Sequence, residues 1–266
     1  MPQRGCIFCG RKPTTIEHLV PRWAYKVLAE DPRTLDPAGE HALFHTSGYQ
    51  HAWQSANTVD FVAKCVCAEC NGGWMSAIES DAQPTLAAMI AGKPMILERR
   101  TQEVLASWLG VKAIIQCYTQ SPIQQTEPEW INYYHEHHSP PTTWRIYIAP
   151  YIGGFPVYFA GAELEMMVHH TLSPFAVPSF GRVFSIAIGY FFGQVLMIDR
   201  QFVVPRNPRP FSQVWPHPLL RPESFGILNP ELILWPPETG WLDDADLENY
   251  APGFAQFSEE AHGRPT

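Results

Sequence analysis

Apolar and polar positions alternate along this chain with two periods. Trp23, Ala24, Val27 and Leu28 recur at helical spacing after Pro21, which predicts a helix over 21–30 closed by Asp31-Pro32. A second helix is predicted from Asn71, a good N-cap beside Gly72-Gly73, to about Gly92. Its apolar positions are Trp74, Met75 and Ile78, and Pro84 predicts a break or kink inside it. The strongest stripe is Val104, Leu105, Trp108, Leu109, Ala113 and Ile115, a helix over 101–118. Short β-branched runs predict strands at 14–16 and 58–66. After Trp144 the period changes, and strands are expected over 143–149, 157–160, 164–170 and 182–197. Gly189 and Gly193 make the last of these a hairpin or a bent strand. The turn-rich stretch 31–50 reads as an inserted loop, 121–142 as a polar and aromatic connection, and the Pro-rich chain after Pro205 as an extended surface wrap.

Composition narrows this little. With 266 residues, 45% hydrophobic and 17% charged, the chain suits a globular protein with a sizeable core. No run of about 18 apolar residues suggests a membrane span, and the leaderless start makes a cytoplasmic location the expectation. The net charge of −8 is uneven: residues 1–100 hold ten basic and ten acidic side chains, so the excess lies in 101–266. A polyanion is therefore expected to meet the N-terminal part.

The six cysteines change the picture most. Cys6-Ile-Phe-Cys9 and Cys67-Ala-Glu-Cys70 are two CxxC pairs, and in a chain without a leader that spacing favours metal over disulfide. Four thiolates close a tetrahedral zinc shell with no open position, which is a structural site. Gly5 and Gly10 flank the first pair and permit a tight knuckle. Knuckle, hairpin and ligand-bearing helix make a treble-clef (ββα-metal) unit. The expected fold is thus α+β: a zinc-stapled domain over 1–95, then an α+β domain with an antiparallel sheet over 96–266. Cys117, in an apolar helical run, reads as a buried small hydrophobe.

Chemistry then has to come from beside the zinc. Glu17-His18 lies between the two pairs. An imidazole titrates near neutrality and suits general-base work. Glu17 and the Asn71 side chain offer the hard oxygens that a divalent ion such as Mg2+ takes. Neighbours on a strand point to opposite faces, so a twist or bulge at the strand end is needed to aim both residues at one pocket.

The sequence CxxC, Glu17-His18-x-x-Pro21 and CxxC-Asn71 resembles the HNH (His-Me finger) endonucleases, in their zinc-bearing subset. The run Cys70-Asn71-Gly72-Gly73-Trp74-Met75 is similar to a subgroup of such proteins from bacteria and phage. The resemblance covers about residues 5–80. It implies a hydrolase that cuts phosphodiester bonds in DNA, with His18 as base and Glu17 and Asn71 holding the catalytic ion. It also implies a middle Asn supporting the His loop, for which Asn57 is the candidate. The chain departs from the family in having Glu rather than Asp before the His. It also lacks a basic residue soon after Cys70-Asn71, which leaves phosphate contacts to Arg11, Lys12, Arg22, Lys26 or Lys64.

Glu79, eight residues after Asn71, is either a third metal ligand or a partner for Arg22. His45 and His51 sit in the predicted insertion. His135, His137 and His138 read as a solvated cluster, and Trp74 as a core plug under the zinc. A rival reading makes the unit a non-catalytic zinc module that binds nucleic acid or protein, with a phage or defence role among its settings.

Overall fold

The computed structural model describes residues 5–31, 41–45, 51–53, 62–120, 127–169, 176–198, 211–215, 232–238 and 240–250. Of these, 41–45, 51–53, 119–120, 162–169, 176–180 and 248–250 are described by backbone alone.

The N-terminal unit begins with a knuckle. The Cys6 N–H donates to the Arg11 carbonyl, and Gly10 N–H donates to Cys6 O at 2.9 Å. Both predicted glycines are required there. Gly10 has φ +74°, and a Cβ on Gly5 would lie 2.3 Å from Gly10 O. Strand β1 (Thr15–His18) then pairs antiparallel with β4 (Val62–Val66), with Thr15 opposite Val66 and His18 opposite Val62. The register shifts between Thr15 and Glu17. Between these strands lies α1 (Arg22–Leu28). The Ile7 N–H donates to Cys65 O at 2.9 Å and ties the knuckle to the hairpin.

The helix after β4 starts earlier than its sequence predicts. Cys67, not Asn71, is the cap: its Sγ accepts from Cys70 N–H, and α2 (Ala68–Cys70) runs into a π-helical turn, Asn71–Met75. Asn71 has ordinary helical dihedrals, and the kink falls at Gly73 (φ −97°, ψ −112°). Helix α3 (Ser76–Ile90) then passes through Pro84 as one element. An Asn is a good cap by type, but a thiol that is already extended at the end of the hairpin accepts the same bond one turn earlier.

The rest is a mixed, mostly antiparallel sheet in the order β10-β6-β9-β8-β7-β2-β3. Its strands are β2 (His41–His45), β3 (His51–Trp53), β6 (Arg145–Pro150), β7 (Val157–His169), β8 (Ala176–Ile188), β9 (Phe191–Ile198) and β10 (Ser212–Trp215). The two strands predicted over 157–170 are one, and the run at 182–197 is a hairpin that turns at Gly189-Tyr190. The stretch expected to be an inserted loop contributes β2, which lies parallel to β7. Strand β9 is buried at every position. Phe191, Val195 and Met197 enter one apolar cluster, and Phe192 and Leu196 the other. Burial on both faces is why this strand reads as a continuous apolar run. β5 (Met95–Leu97) and β11 (Ile233–Trp235) form a separate ribbon.

Helix α4 (Arg99–Gln120) joins the two parts. It packs against α3 and β4 and also against β8, β9 and β10. It is buried without interruption from Trp108 to Cys117, with Lys112 and Gln116 included. A single apolar cluster consequently runs from Cys6 through Leu109 to Val214, across the expected boundary near residue 95. Cys117 is buried as expected. Helix α5 (Pro128–His137) occupies part of the stretch read as a polar connection, with Pro128 in its first turn. Helix α6 (Asp244–Tyr250) is short. Among the described residues no helix is long and apolar enough to cross a membrane.

Candidate metal centre and adjoining cavity

The knuckle and the start of α2 bring Cys6, Cys9, Cys67 and Cys70 together, with their sulfur atoms all within 4.8 Å of one another. Cys9 Sγ and Cys67 Sγ are 3.5 Å apart. Tetrahedral zinc at about 2.3 Å from each sulfur sets the sulfurs about 3.8 Å apart, so the donor set fits this ion. Cys67 is the thiol readiest to ionise. The Cys70 N–H that it accepts holds its pKa down at about 7. Burial pushes Cys9 and Cys70 the other way. A metal taking this site must displace those protons. Cys65, pushed up to about 12 by burial and by the Glu17 charge, stays a neutral thiol outside the set.

Trp74 is partly buried beside the centre. Phe8 meets it edge-on at 4.9 Å, and His138 stacks on it at 4.8 Å with 3° between the rings. The tryptophan therefore packs within the fold, in keeping with a plug. The histidines expected in a solvated loop end α5 instead: His137 is its last residue and His138 its left-handed cap. Among the described residues the four cysteines are the sole group of three or more metal-ligating side chains so clustered.

A cavity of about 300 Å³ opens beside this centre, lined by Glu17, Asn71, Ser76, Glu79, Trp108 and Lys112 among others. Three predicted residues thus meet at one place. Glu17 comes from β1, and Asn71 and Glu79 come from the kinked helix, about two turns apart. Thr15 Oγ1 donates to Val66 O at 3.0 Å, and Ala68 N–H donates to Thr14 Oγ1 at 3.3 Å. Asn71 Nδ2 donates to Ile16 O at 3.5 Å. These bonds fix the helix start against β1.

His18 is placed differently. Its carbonyl faces the cluster, accepting from Lys112 Nζ at 2.7 Å, but its side chain is half-buried and does not line the cavity. Asn57 lies outside the described residues, as do the side chains of His45 and His51.

Lys112 is the residue that sequence reasoning missed. Its ammonium donates to Glu17 Oε1 at 2.5 Å and to Glu79 Oε2 at 3.3 Å, and it lies 5.7 Å from the Trp108 ring centroid. Its side chain is 2% exposed. Glu79 therefore pairs with Lys112, not with Arg22. The signal was present in the pattern: Lys112 stands seven residues after Leu105 and four after Trp108, on the buried stripe. A charge at such a position calls for a buried counter-charge.

No protein-family model, curated protein or solved structure matches this chain.

Proposed function

We propose that the chain is a zinc-stapled endonuclease of the HNH (His-Me finger) type that hydrolyses phosphodiester bonds in DNA. The observation that carries this reading is a coincidence of two sets. The same knuckle, hairpin and helix that gather four cysteines also bring Glu17, Asn71 and Glu79 to one cavity. That order of elements is the order of a treble clef. In this reading Cys6, Cys9, Cys67 and Cys70 hold structural Zn2+. Glu17 and Asn71, with Glu79 beside them, hold a divalent ion such as Mg2+ through hard oxygens. Such an ion, when bound, stabilises the charge that develops on the leaving oxygen.

His18 takes the proton of the attacking water. It sits one residue from Glu17 on β1, so base and carboxylate share one rigid mount. Reaching the cavity needs a turn of the imidazole toward Asn71 when substrate binds. Trp108 lines the cavity, and its buried indole N–H has no partner among the described residues.

The test is cleavage of supercoiled and single-stranded DNA with Mg2+, Mn2+ or Ni2+. Removing a general base costs about 10²–10⁴-fold in rate. His18→Ala should lose activity on that scale while keeping its zinc. Normal cleavage by His18→Ala, or none by the unaltered protein, sinks the reading.

A second reading is favoured by one specific observation. Lys112 already neutralises Glu17, and the His18 imidazole is not in the lining. A module that binds nucleic acid or protein without cutting it would look like this. It would bind DNA in the same experiment and leave it intact.

A further inference from the structure

Lys112 is a positive charge built into the place where two carboxylates converge. An ammonium has three N–H donors, and here the three acceptors are Glu17 Oε1, the His18 carbonyl and Glu79 Oε2. The cation is therefore complete without any ligand. It is also buried: α4 is covered from Trp108 to Cys117 around it, and the Lys112 side chain is 2% exposed. The recorded bonds engage one oxygen of each carboxylate. The cluster as a whole carries two negative charges and one positive.

We propose that the Lys112 ammonium is the resident cation of this cavity, and that it sets how weakly a divalent ion binds there. This inference rests on reading Glu17, Asn71 and Glu79 as the divalent-ion site. Lys112 is a positioning residue, not a catalytic one. It draws Glu17 and Glu79 onto one point, and it stands as a like charge beside any ion that shares them. Attraction between an ion and two carboxylates falls when a third, positive group already occupies their common face. The consequence is a site that fills only near the top of the divalent range and lets its ion go easily. The remaining charge also matters. One net negative charge plus a divalent ion leaves one positive, which suits a phosphodiester anion.

The experiment is a Mn2+ titration of the zinc-loaded full chain, with free Mn2+ read by electron paramagnetic resonance. The unaltered protein should half-saturate near 1 mM, within the weak range of about 10⁻⁴–10⁻³ M for oxygen-ligand sites. Lys112→Gln should bind at least about tenfold more tightly, because one like charge is gone. Lys112→Arg restores the charge and should return to the unaltered affinity. A role in packing alone would not produce that pattern.

If folded Lys112→Gln binds no more tightly than the unaltered chain, the proposal is overturned. Should Lys112→Gln not fold, the unaltered chain and Glu79→Gln decide. Glu79 is partly exposed, so its replacement is mild. Millimolar binding lost in Glu79→Gln supports the proposal; micromolar binding, or none that depends on Glu79, overturns it. Neither titration reads cleavage. A failed nuclease assay is thus separable from a failed competition.

Discussion

The four-cysteine centre and the lysine-centred cluster beside it are built on the same hairpin and helix, yet each gathers charge by a different means. The cysteines converge from two sequence-local pairs into a set that could hold an external cation. Glu17 and Glu79 converge on a cation that the chain supplies itself, from a helix 95 residues downstream of Glu17. The first arrangement, with a metal bound, would make stability depend on that metal. The second makes it depend on α4 being in place, so it couples the N-terminal unit to the sheet. The predictions below set one centre against the other.

Loss of zinc should have the largest effect. Structural zinc contributes about 10–16 kcal/mol in isolated zinc-finger peptides. Here the unit also shares its apolar cluster with α4 and the sheet, so the damage should stay local. Cys70→Ser, or treatment with a strong chelator, should release about one zinc per chain. Hydrogen exchange should then accelerate over 5–18 and 62–75, while α4 and β9 keep their protection. If α4 and β9 lose protection equally, the two parts unfold as one and the contrast between the centres collapses.

Breaking the internal pair comes next. Lys112 and Glu17 are 2% and 10% exposed at their side chains. Removing one partner of a buried pair costs about 3–5 kcal/mol, because the other charge is left alone. Lys112→Ala should lower the unfolding free energy, read from a urea titration, by that amount with zinc content unchanged. Lys112→Met combined with Glu17→Met should recover most of the loss, since apolar replacement of a whole buried pair is often close to neutral. Additive losses in the double variant would show that the two residues do not act as a pair.

These two centres also differ in how far the sequence revealed them. Cys6, Cys9, Cys67 and Cys70 announce themselves because metal spacing is local, three residues within each pair. Glu17 and Asn71 were found by their proximity to that frame. Lys112 belongs to no motif, and its one signal, a charge on an apolar stripe, gives no partner. Long-range pairing is also why the strand at 41–45 falls in a stretch that reads as loop: its parallel partner lies more than a hundred residues away on β7. The helix start was misplaced by one turn because Asn71 is a good cap by type, while the thiol of Cys67 was credited to metal alone. β9 could be read because burial on both faces writes itself as an unbroken apolar run.

The knuckle offers a smaller test, with two glycines that look alike in sequence. A Cβ on Gly5 would meet Gly10 O at 2.3 Å, so the backbone has to shift. Overpacking of this kind costs about 1–3 kcal/mol, and it should move Cys6 against its partners and weaken zinc in a chelator competition. A Cβ on Gly10 meets nothing within 4 Å, and only its φ of +74° resists substitution. Gly10→Ala should cost about 1 kcal/mol and leave zinc affinity nearly unchanged. Equal zinc loss in both would mean that the knuckle responds to backbone conformation rather than to the close approach.

The smallest effect should come from an ion pair that bridges the knuckle and α2 instead of β1 and α4. Arg11 in the knuckle pairs with Glu69 in α2, as Lys112 pairs with Glu17. The formal charges are identical and the difference is water. The Arg11 and Glu69 side chains are 60% and 69% exposed. Solvent screens their attraction, and each long side chain gives up rotamer freedom to make it, so exposed pairs of this kind contribute about 0–1 kcal/mol. Arg11→Ala should therefore leave the unfolding free energy from urea titration within about a few tenths of a kcal/mol of the unaltered protein, and raising the salt concentration should erase what remains. Lys112→Ala should keep its full cost at the same salt, because the Debye screening that reaches Arg11 does not reach a buried ammonium. A salt-sensitive Lys112 effect would mean that water enters the cavity as far as Glu17, and the cluster would then be a solvated pair like the one outside.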